Sequence, residues 1–158
     1  GYSIVIAIFA TLISVLIGTW IAVLLEGKKF WGWSPVFGLM ILPALVPGII
    51  SAIAFRIYAR WLGIEPGMGA IIWAHAVHNV PFVTIVVMAR LSTLPKSQIE
   101  AARDLGADPL LTFIRITLPY LIPAILGASI FCLLLSFDDF VRSFFLGDYN
   151  ATLPVLIL

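Results

Sequence analysis

Four long stretches of the chain carry no Asp, Glu, Lys or Arg: Gly1 to Leu25, Phe30 to Phe55, Pro66 to Ala89 and Ile116 to Phe137, of 25, 26, 24 and 22 residues. A helix that crosses a bilayer needs about 20 apolar residues. A helix of that length in water would carry charge at almost every turn of its solvated face. The pattern predicts an all-α, polytopic membrane protein with four transmembrane helices, at about 3–25, 35–60, 68–90 and 119–145. A secretory signal peptide does not account for the first run, which has no basic start and is too long. The chain opens on Gly1 rather than Met and stops at Leu158 inside an uncharged stretch that begins at Tyr149. Both ends are expected to be cuts within a longer membrane protein.

Within the spans the small and the helix-breaking residues are placed unevenly. Ala10, Ser14, Gly18 and Ala22 recur every four residues, a stripe that lets a neighbouring helix approach closely; an Ala-rich helix could also show it by chance. Pro43, Pro47 and Gly48 fall in the second span and Pro81 in the third. Each proline removes a helical hydrogen bond and favours a kink. Interrupted helices persist at membrane depth where they are buried or line a cavity, so these prolines suit either a transport pathway or a merely kinked structural helix.

The stretch 92–118 is too long for a turn and too regular for a linker. Pro95 can open a helix at its first position, Ile99, Ala102 and Leu105 share a face, and Glu100 and Arg103 are spaced i,i+3 on another. Gly106 can end that helix in a left-handed cap, and Asp108-Pro109 restarts it as N-cap and first position. Two short helices joined by a glycine bend are expected on the inner membrane surface. Such a knob could dock a soluble partner or lie on lipid; the small Ala101 and Ala102 favour close contact with protein.

Composition and charge then narrow the class. Hydrophobic residues make up 62% and charged residues 11%, against roughly 45–50% and 25% in soluble domains. The net charge of +1 excludes a basic nucleic-acid binder, and the apolar content excludes disorder. The single cysteine, Cys132, allows neither an intramolecular disulfide nor a cysteine-cluster metal site and reads as a packing residue. Loops after spans one and three hold Lys28, Lys29, Arg90, Lys96, Arg103 and Arg115, whereas the other side holds Arg56, Arg60 and Arg142. Six against three places the 92–118 loop in the cytoplasm. Trp31 and Trp33 then fit an inner aromatic belt, Trp61 and Tyr149 an outer one.

Glu100-Ala101-Ala102, three residues, Gly106, nine residues, Ile116, one residue and Leu118-Pro119 resemble the EAA loop of permease subunits of binding-protein-dependent ABC importers. All seven positions are present at the family spacing, and the likeness runs from span one to Thr152-Leu153-Pro154. The resemblance implies the core of a permease of about six spans, one span preceding Gly1 and one following Leu158. It implies a multi-pass protein of the bacterial inner membrane whose EAA-type helix pair docks on a cytoplasmic ATPase dimer. Glu100 and Gly106 would lie at that interface, with Ala101 and Ala102 fitting its groove. It also implies a second permease subunit, identical or homologous, and an extracytoplasmic solute-binding protein. ATP and Mg would be bound by the separate ATPase, because Gly27-Lys28-Lys29 lacks the rest of a phosphate loop. No catalytic, cofactor-binding or metal residue is expected in this chain.

Ser136-Phe137-Asp138-Asp139-Phe140 with Leu153-Pro154, and Pro81-Phe82-Val83 after His75, look like the spermidine/putrescine branch, which implies a polyamine solute. Iron, thiamine and phosphonate importers carry the same loop and stay as alternatives. Nineteen residues separate Pro119 from Asp138, about 28 Å of helix, so Asp138 and Asp139 sit near the outer end of span four. Acids at such depth are functional candidates: they could attract a cation, or order an outer gate, or pair locally with Arg142 at i+4 and i+3. His75 and His78 share a face of span three without the further ligands a metal needs, which suits hydrogen bonding to a partner helix or a wet pathway. Gly127-Ala128-Ser129 with either histidine admits an intramembrane serine protease as a distant alternative. A structural scaffold would leave the EAA spacing unexplained.

Overall fold

The computed structural model describes residues 2–26 and 33–147, with Trp33 described by its backbone alone. Helices account for nearly all of them: α1 (Tyr2–Leu25), α2 (Trp33–Leu45), α3 (Gly48–Trp61), α4 (Met68–Leu91), α5 (Lys96–Asp104), α6 (Pro109–Thr112), a π-helical turn (Phe113–Thr117), α7 (Leu118–Asp138) and α8 (Phe140–Leu146). Among the described residues three helices are long and apolar enough to cross a bilayer, Tyr2–Leu25, Met68–Leu91 and the continuous Pro109–Asp138. Ser34–Leu45 and Gly48–Trp61 make a fourth span if taken together.

The packing is that of a membrane protein, with small and polar groups inside and large apolar ones outside. Ala10, Ser14, Gly18 and Ala22 are all buried, as the stripe predicts, and the helix they admit is α4. Ser14 Oγ donates to Ala10 O at 2.6 Å and is 3.2 Å from Ala76 O. Thr84 Oγ1 donates to Val80 O at 2.9 Å and lies 3.3 Å from Gly18 O. α7 closes the bundle, burying Leu121, Ala128 and Cys132 with Ala22, Val83 and Val87, and Phe82 stacks on Phe131 with ring centroids 4.4 Å apart. Phe9, Leu16 and Trp20 on α1 and Leu126, Ile130 and Leu134 on α7 face outwards, where lipid or other protein surface replaces water.

Three expectations are corrected. The second span is not one kinked helix over 35–60: α2 and α3 meet at 105°. Val46 N closes the last turn of α2 on Leu42 O, and Pro47, with φ −52° and ψ 138°, turns the chain out of the helix. Proline offers no N–H with which to continue the ladder. The fourth span does not run unbroken to 145: α7 ends at Asp138, and Asp139 caps the separate helix α8. That span also starts before 119: both short helices expected in the 92–118 loop form, but the second, α6, runs through the π-helical turn into α7. That turn directly precedes Leu118-Pro119, and the missing N–H of Pro119 is a local cause for a shifted hydrogen-bond register.

The end of α1 lies beside the loop that follows α4. Trp20, Val23 and Glu26 share a 790 Å³ cleft with Lys96, Ile99 and Arg103, so the loops after spans one and three emerge on one side, as the charge count requires. Trp61, at the expected opposite end, is 81% exposed. Lys28, Lys29, Trp31, Tyr149 and the Thr152-Leu153-Pro154 stretch lie outside the described residues, as do the side chain of Trp33 and the rest of the 148–158 segment.

Candidate functional site

Two groups of residues stand out, one at each end of the bundle. At the inner end, α5 projects from the core with no buried residue. Pro95 is its N-cap rather than its first helical residue, and the helix begins at Lys96. Glu100 and Ala101 are exposed, and Ala102 and Ile99 are half-buried. Leu105 does not join their face: it follows the last helical residue and is 89% exposed. Glu100 and Arg103 form no ion pair, and the two pairs found among the described residues both involve Asp139.

The bend after α5 is a complete helix stop. Gly106 has φ +81°, its N–H donates to Arg103 O at 2.8 Å, and Ala107 N–H reaches Ala102 O at 3.0 Å. These are the two bonds of a Schellman motif, with glycine at the left-handed position. Asp108 then accepts from Leu111 N–H at 2.8 Å and starts α6 with Pro109 at its first position. The chain thus turns from an exposed helix into the base of a span within four residues.

The root of this element is clamped by Arg90, read from the sequence only as one of the orienting cations, together with Thr93 and Tyr120, which the sequence did not single out. Arg90 Nε donates to Tyr120 O at 3.3 Å, and its guanidinium lies 3.9 Å from the Tyr120 ring centroid. Tyr120 Oη is 3.0 Å from Thr93 Oγ1 and donates to Thr93 O at 3.1 Å. The exit of α4 and the entry of α7 are therefore fastened to each other. An arginine as the last charged position before a loop was the one available signal.

At the outer end, Asp139 binds Arg142 twice: its Oδ1 accepts from Arg142 N–H at 3.0 Å and its Oδ2 pairs with the guanidinium. His75 Nε2 lies 3.7 Å from the same Oδ2, and neither nitrogen of this buried ring has a hydrogen-bond partner. Arg142 Nη2 reaches Ser51 Oγ on α3 at 3.4 Å, and Arg56 Nη1 donates to Phe145 O at 3.2 Å. Asn79 Nδ2 donates to Ser136 Oγ at 3.1 Å, joining α4 to α7. His78 Nδ1 is 3.1 Å from Pro43 O on α2. A cavity of 220 Å³ opens between these groups, lined by both histidines, Asn79, Ser136 and both acids. Asp138 is exposed, so the adjacent acids have different surroundings. Of the two partners open to Arg142, the structure takes Asp139. Ser129 does not line this cavity, and its hydroxyl donates to Ile125 O within its own helix at 2.7 Å.

Residues 14–157 match the family described as the binding-protein-dependent transport system inner membrane component. The chain belongs to that family. With its apolar helices, membership makes it a multi-pass inner-membrane protein of the permease type. It is 32% identical over 157 residues to the spermidine/putrescine transport system permease protein PotC of Escherichia coli K12, covering 99% of this chain and 60% of that protein. It is 36% identical over 165 residues to the putrescine transport system permease protein PotI of the same strain, covering 99% and 59%. The PotC homolog of Mycoplasma pneumoniae is 33% identical over 143 residues, covering 88% and 50%. The chain therefore spans 50–60% of the length of these permeases.

Proposed function

We propose that the chain is the core of the permease subunit of an ATP-driven importer and that its solute is a polyamine. The observation that carries the importer reading is the EAA-type loop: all seven signature positions at family spacing, with Glu100 and Ala101 on an exposed helix and Gly106 at a left-handed cap. On this reading α5 docks on a cytoplasmic ATPase dimer that holds ATP and Mg, and a second permease subunit completes the pathway. An extracytoplasmic binding protein delivers the solute to the outer end. Polyamine as the solute is supported by the names of the relatives, spermidine/putrescine and putrescine permeases, and by the acid-bearing outer cavity. Asp138, exposed beside that cavity, offers a carboxylate to an ammonium group, while Asp139 is engaged by Arg142.

The test is uptake by the full-length permease reconstituted with its ATPase, partner subunit and binding protein. Labelled spermidine should accumulate only with ATP inside, and excess putrescine should compete. ATP-driven uptake of another solute, indifferent to either amine, would retain the importer reading and reject the polyamine. No ATP-dependent uptake of any solute delivered by the binding protein would reject both.

A further inference from the structure

We infer that His78 is a positioning residue that sets the elbow between α2 and α3. In an uninterrupted helix the carbonyl of Pro43 would accept from the N–H of residue 47, and residue 47 is proline, which has none. A carbonyl left over in the apolar interior of a membrane protein needs a partner. His78 Nδ1, on α4, lies 3.1 Å from Pro43 O. A carbonyl only accepts, so the ring nitrogen is the donor and the Nδ1–H form of the imidazole is selected. The histidine replaces, from another helix, the one hydrogen bond that the proline removes.

The position of that bond matters because of what hangs from the elbow. Beyond it α3 carries Ser51, 3.4 Å from Arg142, and Arg56, bonded to Phe145 O. α3 and α8 are thus tied together through Arg142, which lines the outer cavity, and Arg56. Each is joined to its span by a helix break, at Val46-Pro47 and at Asp139. One turn of α4 meets both breaks: His78 touches Pro43 before the first, and His75 lies by Asp139 at the second. Where His78 holds α2 decides where Ser51 stands against Arg142, which lines the cavity.

Spin labels at Leu39 on α2 and Ile57 on α3, both exposed, report the elbow by their separation in the full-length assembled permease. His78→Asn, which keeps a donor near Nδ1, should retain the parental distance distribution and most of the uptake. His78→Leu should broaden the distribution towards longer, straighter separations and lower uptake about tenfold, the order of effect of leaving one part-buried acceptor without its donor. A parental distribution in the Leu variant, or an Asn variant shifted as far as Leu, would overturn the assignment. If the Leu variant fails to assemble, the Asn variant decides alone: parental supports it, shifted overturns it. The distance needs no solute, so a wrong solute assignment would appear in uptake and leave the elbow result standing.

Discussion

A β-carbon placed on Gly18 would lie 2.7 Å from Val83 Cβ and 3.1 Å from the Val80 carbonyl oxygen. α1 and α4 thus meet where one of them has no side chain, and the obstacle is the stem of a β-branched residue rather than a flexible tip. Gly18→Ala should destabilise the bundle by about 1–3 kcal/mol, the range for overfilled cores. Gly127 on α7 has open space around it, so Gly127→Ala should be neutral or gain up to about 1 kcal/mol from helix propensity. Thermal unfolding of the purified permease in detergent checks the pair; equal midpoints for the two variants would contradict the packing account.

What sequence alone could reach divides by the range of the interaction. The small stripe of α1, the left-handed Gly106 and the Asp108-Pro109 restart are properties of adjacent positions, and the structure has each of them. Pro47 signals an interruption without giving its angle, and nothing in the local pattern of span four signals the break at Asp139. The 105° of the elbow depends on what receives the freed carbonyl, and His78 lies 35 residues away. The outer cluster was half legible: Asp139 with Arg142 is a local spacing, whereas Ser51, Arg56 and His75 join it only through tertiary packing. Leu105 leaves the face that its spacing predicts because the helix ends one residue before it, at Asp104.

Tyr120 couples the two spans that flank the projecting helix. Its hydroxyl meets Thr93 Oγ1 and Thr93 O, and each such bond contributes about 1 kcal/mol. Tyr120→Phe keeps the ring under Arg90 and removes both contacts. The expected outcome is a loss of about 1–2 kcal/mol in stability, with faster amide exchange at residues 92–94 read by mass spectrometry. Unchanged exchange there would mean that Arg90 holds the junction unaided.

The Gly106 bend separates backbone strain from crowding. A β-carbon at Gly106 meets nothing within 4 Å, so the cost of a side chain is that of φ +81°, about 1–2 kcal/mol for most residues and less for Asn. Gly106→Asn should keep substrate-stimulated ATP hydrolysis in reconstituted membranes, and Gly106→Val should lose most of it while the spans remain inserted. Glu100→Lys should also lose it, by reversing the charge offered to the ATPase. A helix that merely lay on anionic lipid would tolerate or benefit from that lysine. Parental hydrolysis by the Lys variant, with the ATPase still co-purifying, would refute the coupling role of Glu100.

The last expectation divides the two outer acids. Asp139 and Arg142 have side chains only 12% and 8% exposed, and removing one partner of a buried pair leaves the other charge uncompensated at a cost of about 3–5 kcal/mol. Asp139→Asn should therefore lower the yield and melting temperature of the permease, and Arg142→Met in the same chain should restore much of both. The cap that Asp139 gives α8, through Arg142 N–H, survives in Asn, so the rescue reports the charge pair and not the cap. Asp138 is exposed and has no such partner among the described residues. Asp138→Asn should leave yield and melting unchanged and depress uptake of labelled spermidine, chiefly through a raised apparent KM if its carboxylate meets the ammonium group. Full uptake by the Asp138 variant would remove that acid from the pathway. Failure of Arg142→Met to rescue Asp139→Asn would show that the charge pair is not what Asp139 contributes, and would leave its cap on α8 and its contact with His75 to account for the loss.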